Sequence, residues 1–302
     1  MKDFSKETRD VYHAQHTKIA EDGKTMKRFI SMFNTEYFGL DEKYFEGKRV
    51  LDAGCGDTAK LIIKLHKLGS RELYGCDLGT EFIPVATKTL EKYDVPLNDV
   101  KFSSGSVLEL PYEDNYFDFV SCHGVLVHLN NLEEVQNAFA ELARVTKNDG
   151  YLYTVFGSVG GLFEDAINPA IRKYYRENAE FKKFVDNISQ EKISEIIGYI
   201  AEGMRKHTGE EIDSKLLNEL LDIDFSVTIQ NITQVPIRLT ITEEYIRSNY
   251  SKNGFTDVRR LHRYVKRENI RKFFAPLHYE KNYSFSKILY GSGNLEFIAR
   301  KT

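Results

Sequence analysis

The chain has 302 residues, 41% of them hydrophobic, which is enough for one large domain or for a domain with a sizeable insertion. Its formal net charge of −3 gives no general attraction to polyanions, so nucleic acid is not the expected partner. No apolar run approaches the ~18 residues of a membrane span, and the first residues lack the apolar segment of a signal peptide, so we expect a cytoplasmic protein without a membrane partner.

The first segment, residues 5–35, is polar and is predicted to be helical. It has a partial apolar face made of Tyr12, Ile19, Met26, Phe29, Ile30 and Phe33. Helices of this kind could cover a ligand site in the domain that follows.

A glycine-containing turn follows the first predicted strand. This strand, residues 49–52, ends in Asp52, and the turn through Gly54 and Gly56 leads to a predicted helix at 60–67. A strand that feeds a helix leaves backbone N–H groups pointing outward, and residues without a Cβ let a ligand approach them. The pattern indicates a nucleotide-binding turn, with a helix-capping loop in another α/β protein as the alternative.

A second acid, Asp77, ends the next predicted strand, residues 73–77. It lies 21 residues after Gly56, close to the roughly 20 residues expected for an acid that binds ribose hydroxyls. Nicotinamide-dependent dehydrogenases share these features, but the place of their third glycine is taken by Ala59 in this chain. The sequence therefore disfavours that class.

Further strands and a helix continue the alternation. Strands are predicted at 100–103, 117–122 and 151–156, and a helix at 132–146. Asn131 is placed to cap this helix, and Glu134 is placed to complete a capping box. Alternation of this kind predicts a parallel sheet.

The alternation stops after residue 156, where a glycine-rich stretch at 157–161 leads into a mostly helical region. These glycines serve as a hinge or only end the fifth strand tightly. The sheet pattern then resumes, with a helix at 242–251, a strand from 254 toward 264 and a last strand at 294–300. We expect N-terminal lid helices and a cofactor-binding core in 1–157, a helical cap in 158–238 and the rest of the core in 239–302.

The order of these motifs over residues 48–157 resembles the class I S-adenosylmethionine-dependent methyltransferases, of the type 11 group related to ubiquinone-biosynthesis methyltransferases. The resemblance implies a Rossmann-like α/β fold: a seven-stranded, mostly parallel sheet with helices on both faces and an antiparallel last strand. It also implies a cap inserted between strands 5 and 6, and S-adenosyl-L-methionine as cofactor. No histidine or cysteine spacing supports a metal ion, so none is expected.

The resemblance also implies which residues hold the cofactor. They are Asp52, Ala53, Gly54, Cys55 and Gly56 for the methionine portion, Asp77 and Leu78 for the ribose, Ser106 and Val107 for the adenine, and Cys122 beside the transferable methyl. Two positions depart from the family: Thr58 replaces a third glycine, and Ser106 replaces an aspartate. The Thr58 hydroxyl is placed to cap the following helix, and Ser106 can still form one hydrogen bond to the adenine edge.

Methyl transfer from a sulfonium needs alignment, exclusion of water and, for some acceptors, removal of a proton. His123, after the fourth strand, is the first candidate base, and packing against the cofactor is its alternative role. For His128 we expect a helix-start or packing role, with catalysis as the less favoured alternative. We expect a small-molecule acceptor selected by the cap; an RNA-modifying methyltransferase and a cofactor-binding regulatory protein without turnover are the alternatives.

Aromatic and basic side chains add further candidates for acceptor contacts. Tyr12, His13, Tyr174 and Tyr175 could frame an acceptor, although core packing is the commoner role for such side chains. A basic cluster fits a solvated surface, an anion site or an RNA contact, and it consists of Arg259, Arg260, His262, Arg263, Lys266, Arg267, Arg271 and Lys272.

Overall fold

The computed structural model describes residues 3–21, 23–157, 159–211, 223–262, 277–279 and 281–302. These residues form two compact units. The first unit contains the described residues up to 159, together with 236–262 and 292–302, and the second contains 160–235 and 277–291 within the described ranges.

The first unit is built on one seven-stranded sheet with the strand order β3-β2-β1-β4-β5-β7-β6. Its strands are β1 Arg49–Ala53, β2 Glu72–Asp77, β3 Val100–Ser104, β4 Phe117–His123, β5 Thr146–Phe156, β6 Phe255–Leu261 and β7 Leu295–Lys301. Strands β1 to β5 pair in parallel, whereas β7 runs antiparallel between β5 and β6. The predicted sheet, including its antiparallel last strand, is therefore confirmed.

The helices of both units can be given in chain order. They are α1 Ser5–Glu21, α2 Gly23–Met32, α3 Thr35–Phe38, α4 Lys60–Lys67, α5 Phe82–Lys92, α6 Leu132–Val145, α7 Asn168–Glu177, α8 Ala179–Asp186, α9 Gln190–Thr208, α10 Ile223–Gln234, α11 Glu243–Lys252 and α12 Ser284–Tyr290. In α6 the predicted cap is present, because the Asn131 side chain accepts the N–H of Glu134 at 2.9 Å. Buried Val135, Phe139 and Leu142 on this helix join the main core, together with Val120 and Leu152 of the sheet.

The second unit contains α7 to α10 and α12, and its described residues include a small core of Ile188, Ile193 and Ile197. Residues 281–291, which carry α12, belong to this unit, whereas the sequence pattern predicts that they belong to the core. The pattern missed this because the chain leaves the sheet again after β6 and returns to it only for β7. The role of this unit as a cap over the acceptor stays a prediction.

Two further expectations concern the surface of the chain. Within the described ranges, no helix has both the length and the apolar character that crossing a bilayer requires. Most of the basic cluster, namely Arg263, Lys266, Arg267, Arg271 and Lys272, lies outside the described residues.

Candidate active site

The turn between β1 and α4 places two glycines in the left-handed region, Gly54 at φ +86° and Gly56 at φ +58°. A Cβ on Gly54 would lie 2.2 Å from Cγ2 of Val125, and one on Gly56 would lie 2.6 Å from Nδ1 of His16. Both positions therefore exclude a side chain for two reasons, the backbone conformation and the close approach of another part of the chain. The sequence pattern attributed these glycines to ligand access alone.

Asp77 links the end of β2 to this turn. Its Oδ2 accepts the backbone N–H of Gly56 and its Oδ1 accepts that of Leu78, each at 2.7 Å. Burial raises the pKa of Asp77, and these two backbone hydrogen bonds oppose that shift by stabilising the carboxylate. Each carboxylate oxygen keeps capacity for a further donor, so the group is held rigidly while it can still accept hydroxyl groups.

Asp52 lies on β1, opposite Ser121 of β4 in the parallel pairing. The carboxyl group is only 3% exposed, and it accepts the Ser121 hydroxyl at 2.6 Å. Burial raises the pKa of Asp52 to about 6, against the opposing effects of the Ser121 hydrogen bond and the positive charge of Lys60. The two acids predicted from the sequence thus end neighbouring strands at one edge of the sheet.

The residues predicted near the adenine lie after β3, beside Asp77. The N–H of Gly105 donates to the carbonyl of Asp77 at 3.0 Å, which fixes this loop against the end of β2. The Ser106 hydroxyl accepts the N–H of Leu108 at 3.1 Å, and Val107 is 7% exposed and packs into the main core. Their contact with adenine stays a prediction.

Three buried cysteines surround the ends of β1, β2 and β4: Cys55, Cys76 and Cys122. Burial raises the pKa of all three thiols, to about 11 for Cys76. They are therefore protonated near neutral pH and act as small packing groups rather than as nucleophiles.

His123 is the last residue of β4 and sits in an aromatic environment. Its ring centroid lies 5.5 Å from that of Phe29, 6.3 Å from that of Phe33 and 6.4 Å from that of Tyr153. The side chain is therefore placed at the carboxyl edge of the sheet, where the sequence predicted it, and its role as a base stays a prediction.

The sequence pattern missed a hydrogen-bonded connection between α1 and the segment after β4. The Tyr12 hydroxyl lies 2.7 Å from Nε2 of His128, and Nδ1 of His128 lies 2.8 Å from the carbonyl oxygen of Ile237. A carbonyl can only accept, so Nδ1 carries a proton; in the neutral imidazole Nε2 is then the acceptor, and the Tyr12 hydroxyl donates to it. His128 thus belongs to a chain of hydrogen bonds, and its ring also packs against that of Tyr12, with the centroids 5.0 Å apart.

A second contact connects α1 to the glycine turn. Nδ1 of His13 lies 2.5 Å from Oδ1 of Asp57, whose side chain is buried. Burial raises the pKa of Asp57, and the neighbouring His13 lowers it again. Because Asp57 follows Gly56 directly, this contact fixes α1 over the turn.

Several buried polar atoms of α1 and of the turn have no hydrogen-bond partner among the described residues. They are the Thr58 hydroxyl, Nδ1 of His16 and both amide atoms of Gln15. The predicted capping role of Thr58 is wrong: Ala59, at φ +42°, is the N-cap of α4, and no side chain caps this helix. A polar face on α1, where an amphipathic helix would bury apolar residues, was the available sequence signal for Gln15 and His16.

This geometry defines a class of protein: α/β domains that bind a nucleotide-like cofactor at the carboxyl edge of the sheet, between a glycine turn and an acid on the next strand. Residues 51–154 match the family described as the methyltransferase domain. This segment is thus a methyltransferase domain, and the cofactor of that family is S-adenosyl-L-methionine. The family that the motifs predicted is therefore confirmed.

Individual relatives match only part of this chain. An uncharacterized methyltransferase of Schizosaccharomyces pombe is 35% identical over 108 residues, which cover 34% of this chain and 38% of the relative. The ubiquinone/menaquinone biosynthesis C-methyltransferase of Psychromonas ingrahamii is 27% identical over 180 residues, which cover 57% of this chain and 65% of the relative. The chain thus spans less than two thirds of the length of either relative.

A solved structure shows the same fold over a larger part of the chain. It is a chain from the complex of the Haloferax volcanii methyltransferase activator Trm112 with a methyltransferase. The TM-score is 0.52 at 13% identity, and the match covers 94% of this chain and 96% of that one. At this identity the likeness concerns the fold alone.

The residues at the turn fit the cofactor of this family. The cofactor carries hydroxyl, ammonium and carboxylate groups that need both acceptors and donors. Asp77 offers acceptor capacity beyond its two backbone hydrogen bonds, and the unpartnered Thr58 hydroxyl can donate or accept. Buried polar atoms are normally hydrogen-bonded, so unpartnered ones beside a glycine turn mark a place where a polar ligand fits.

Proposed function

We propose that this chain is an S-adenosylmethionine-dependent methyltransferase that transfers a methyl group to a small-molecule acceptor. The proposal rests chiefly on Asp77, whose carboxylate is fixed by two backbone N–H groups beside the glycine turn. In the family, the acid at this position accepts the two ribose hydroxyls. The match of residues 51–154 to a methyltransferase domain supports the same reaction.

The cofactor, when bound, supplies a methyl group on a sulfonium, which the acceptor attacks in line. The protein holds the two reactants in the correct geometry and keeps water away. In our proposal Asp77 binds the ribose, and Asp52 accepts a hydrogen bond from the ammonium group of the methionine portion. The backbone from Gly54 to Gly56 also contacts the methionine portion. Cys122 and His123 end β4 beside the methyl group.

Two routes exist for a proton released by the acceptor. The first route uses His123, the base that the sequence predicts. The ring of His123 packs against those of Phe29 and Phe33 at the end of β4. The second route is supported by the Tyr12 and His128 contact: Tyr12 takes the acceptor proton at its oxygen while its own proton moves to Nε2 of His128. The carbonyl of Ile237 stabilises the resulting imidazolium through Nδ1.

A small organic acceptor fits better than RNA. The ubiquinone/menaquinone relative carries an activity on a small organic compound in its name. The two arginines of the basic cluster on β6 are already engaged within the protein: Arg259 pairs with Asp257 and Arg260 with Glu243. Part of the positive charge of each guanidinium is therefore compensated within the protein.

The test is incubation of the chain with methyl-labelled cofactor and fractions of a metabolite extract, with S-adenosylhomocysteine as the measured product. We expect its formation to depend on an added small-molecule fraction and to be absent in an Asp77→Ala variant. Product formation only with an RNA fraction would overturn the acceptor class. Cofactor binding without any product, across all fractions, would favour a regulatory protein and overturn the enzymatic proposal.

A further inference from the structure

The buried face of α1 is more polar than its position predicts. Side chains that recur at helical spacing share this face: Thr8, Tyr12, Gln15, His16 and Ile19. A helix packed on a protein core normally turns apolar residues inward, and four of these five side chains carry polar atoms. The polarity of this face therefore needs partners.

Only part of that requirement is met within the protein. Tyr12 donates to His128, but Gln15 is 2% exposed and neither its amide nitrogen nor its amide oxygen has a hydrogen-bond partner in the described part of the chain. Burying an amide without hydrogen bonds destabilises the folded protein, because the amide loses its hydrogen bonds to water. The Gln15 amide therefore needs a hydrogen-bond partner beyond the described part of the chain.

His16, next to Gln15, contacts the glycine turn. Its buried Nδ1 also has no partner, and it lies 2.6 Å from the place of a Cβ on Gly56. The hydroxyl of Thr58, two residues further along the turn, is buried and unpartnered as well. The face of α1 that carries these unsatisfied groups therefore contacts the turn through His16, and the turn contains an unsatisfied group of its own.

We propose that Gln15 and His16 of α1 bind the amino-acid end of S-adenosylmethionine, so that α1 is a part of the cofactor site and not only a cover over it. The proposal rests on the proposed function. A side-chain amide offers both a donor and an acceptor, which match a group that carries a carboxylate and an ammonium side by side. The glycine turn against which His16 packs is the part of the site that faces the methionine portion.

The experiment compares two probes by isothermal titration calorimetry. S-adenosylhomocysteine has the amino-acid end, and 5′-methylthioadenosine has the same nucleoside and sulfur without it. A Gln15→Leu variant removes the amide while keeping a side chain of similar size. We expect its affinity for S-adenosylhomocysteine to fall about tenfold or more, and its affinity for methylthioadenosine to stay within about twofold of the unmodified protein.

A thermal unfolding measurement without ligand separates binding from folding. Because Gln15→Leu removes an unsatisfied buried amide, we expect its midpoint to rise by about 2 °C rather than to fall. Lys18→Ala, on the exposed face of the same helix, is the matched control and should leave both affinities unchanged. The combination of higher stability with weaker binding is not expected of a purely structural residue.

The outcomes separate this proposal from the proposed function. If the unmodified chain binds neither probe, the proposed function fails. If it binds S-adenosylhomocysteine and Gln15→Leu binds it equally well, only the role of Gln15 is overturned. An equal loss of affinity for both probes would place the amide at the nucleoside and overturn its assignment to the amino-acid end.

Discussion

Replacing Gly54 by alanine tests whether the turn is shaped by contacts within the protein. At φ +86° an alanine costs about 1–2 kcal/mol relative to glycine. Its Cβ would also lie 2.2 Å from Cγ2 of Val125, and overpacking of this kind typically costs about 1–3 kcal/mol. We therefore expect Gly54→Ala to lower the free energy of unfolding by about 2–5 kcal/mol.

The two contributions can be separated with two further variants. Gly47→Ala changes a glycine at φ +68° that has no neighbour within 4 Å of the new Cβ, so it measures the backbone cost alone. Val125→Ala leaves only a Cβ, at 3.4 Å from the new methyl group, which removes the clash. The double variant Gly54→Ala/Val125→Ala should therefore be more stable than the sum of the single effects predicts, by about 1–3 kcal/mol.

Urea unfolding followed by far-ultraviolet circular dichroism measures these free energies, since the chain has no tryptophan to serve as a fluorescent probe. Additivity of the two substitutions to within about 0.5 kcal/mol would refute the contact between the turn and Val125. Such a result would leave the glycine to be explained by its backbone conformation and by the ligand.

Three further predictions concern the acids and α1. Asp77→Asn should weaken binding of S-adenosylhomocysteine about tenfold in calorimetry. The NH2 group of the new amide would face the backbone N–H of Gly56 or of Leu78, and two donors cannot form a hydrogen bond. Unchanged affinity would remove Asp77 from the site. The pKa of Asp52 is about 6 in the folded protein, compared with an ordinary value of 3.8. Between these two pH values the folded state binds more protons than the unfolded state, so the free energy of unfolding falls as the pH rises. Asp52→Asn, which keeps the acceptor for Ser121, should therefore gain stability relative to the unmodified protein between about pH 4 and pH 6 in urea titrations; parallel pH profiles would contradict this. Tyr12→Phe should lower stability by about 1 kcal/mol and slow turnover if the proton leaves through His128, and an unchanged initial rate would rule out that route.

The sheet side of the site could be predicted because its signals are local in the sequence. Asp52 and Asp77 each end a short apolar strand, and the parallel arrangement of such strands brings their carboxyl ends to one edge. Gly54 and Gly56 were recognised by type and spacing. The neighbours that exclude their side chains, Val125 and His16, were not predictable, since these contacts join residues far apart in the chain.

The helical side of the site was mostly missed for the same reason. The partner of Tyr12 is 116 residues away, and that of His13 is 44 residues away. Nothing in the composition of α1 indicates which loop its polar face contacts. The predicted cap at Thr58 rested on the general preference for a hydroxyl just before a helix. It was wrong because Ala59 lies between Thr58 and the helix as the N-cap, and the Thr58 hydroxyl is buried instead.

These two sides of the site differ in how completely the protein satisfies its own polar groups. The carboxylates of Asp52 and Asp77 are hydrogen-bonded before any ligand arrives, so the sheet edge is preorganised. On α1, in contrast, Gln15 and His16 hold buried atoms without partners. In an undocked or unfolded α1 these atoms form hydrogen bonds with water. A ligand that supplies their missing partners therefore stabilises the docked position of α1 relative to the undocked one. The stabilisation that the cofactor confers should therefore be concentrated in hydrogen-exchange protection of α1, with little change in β1 and β2.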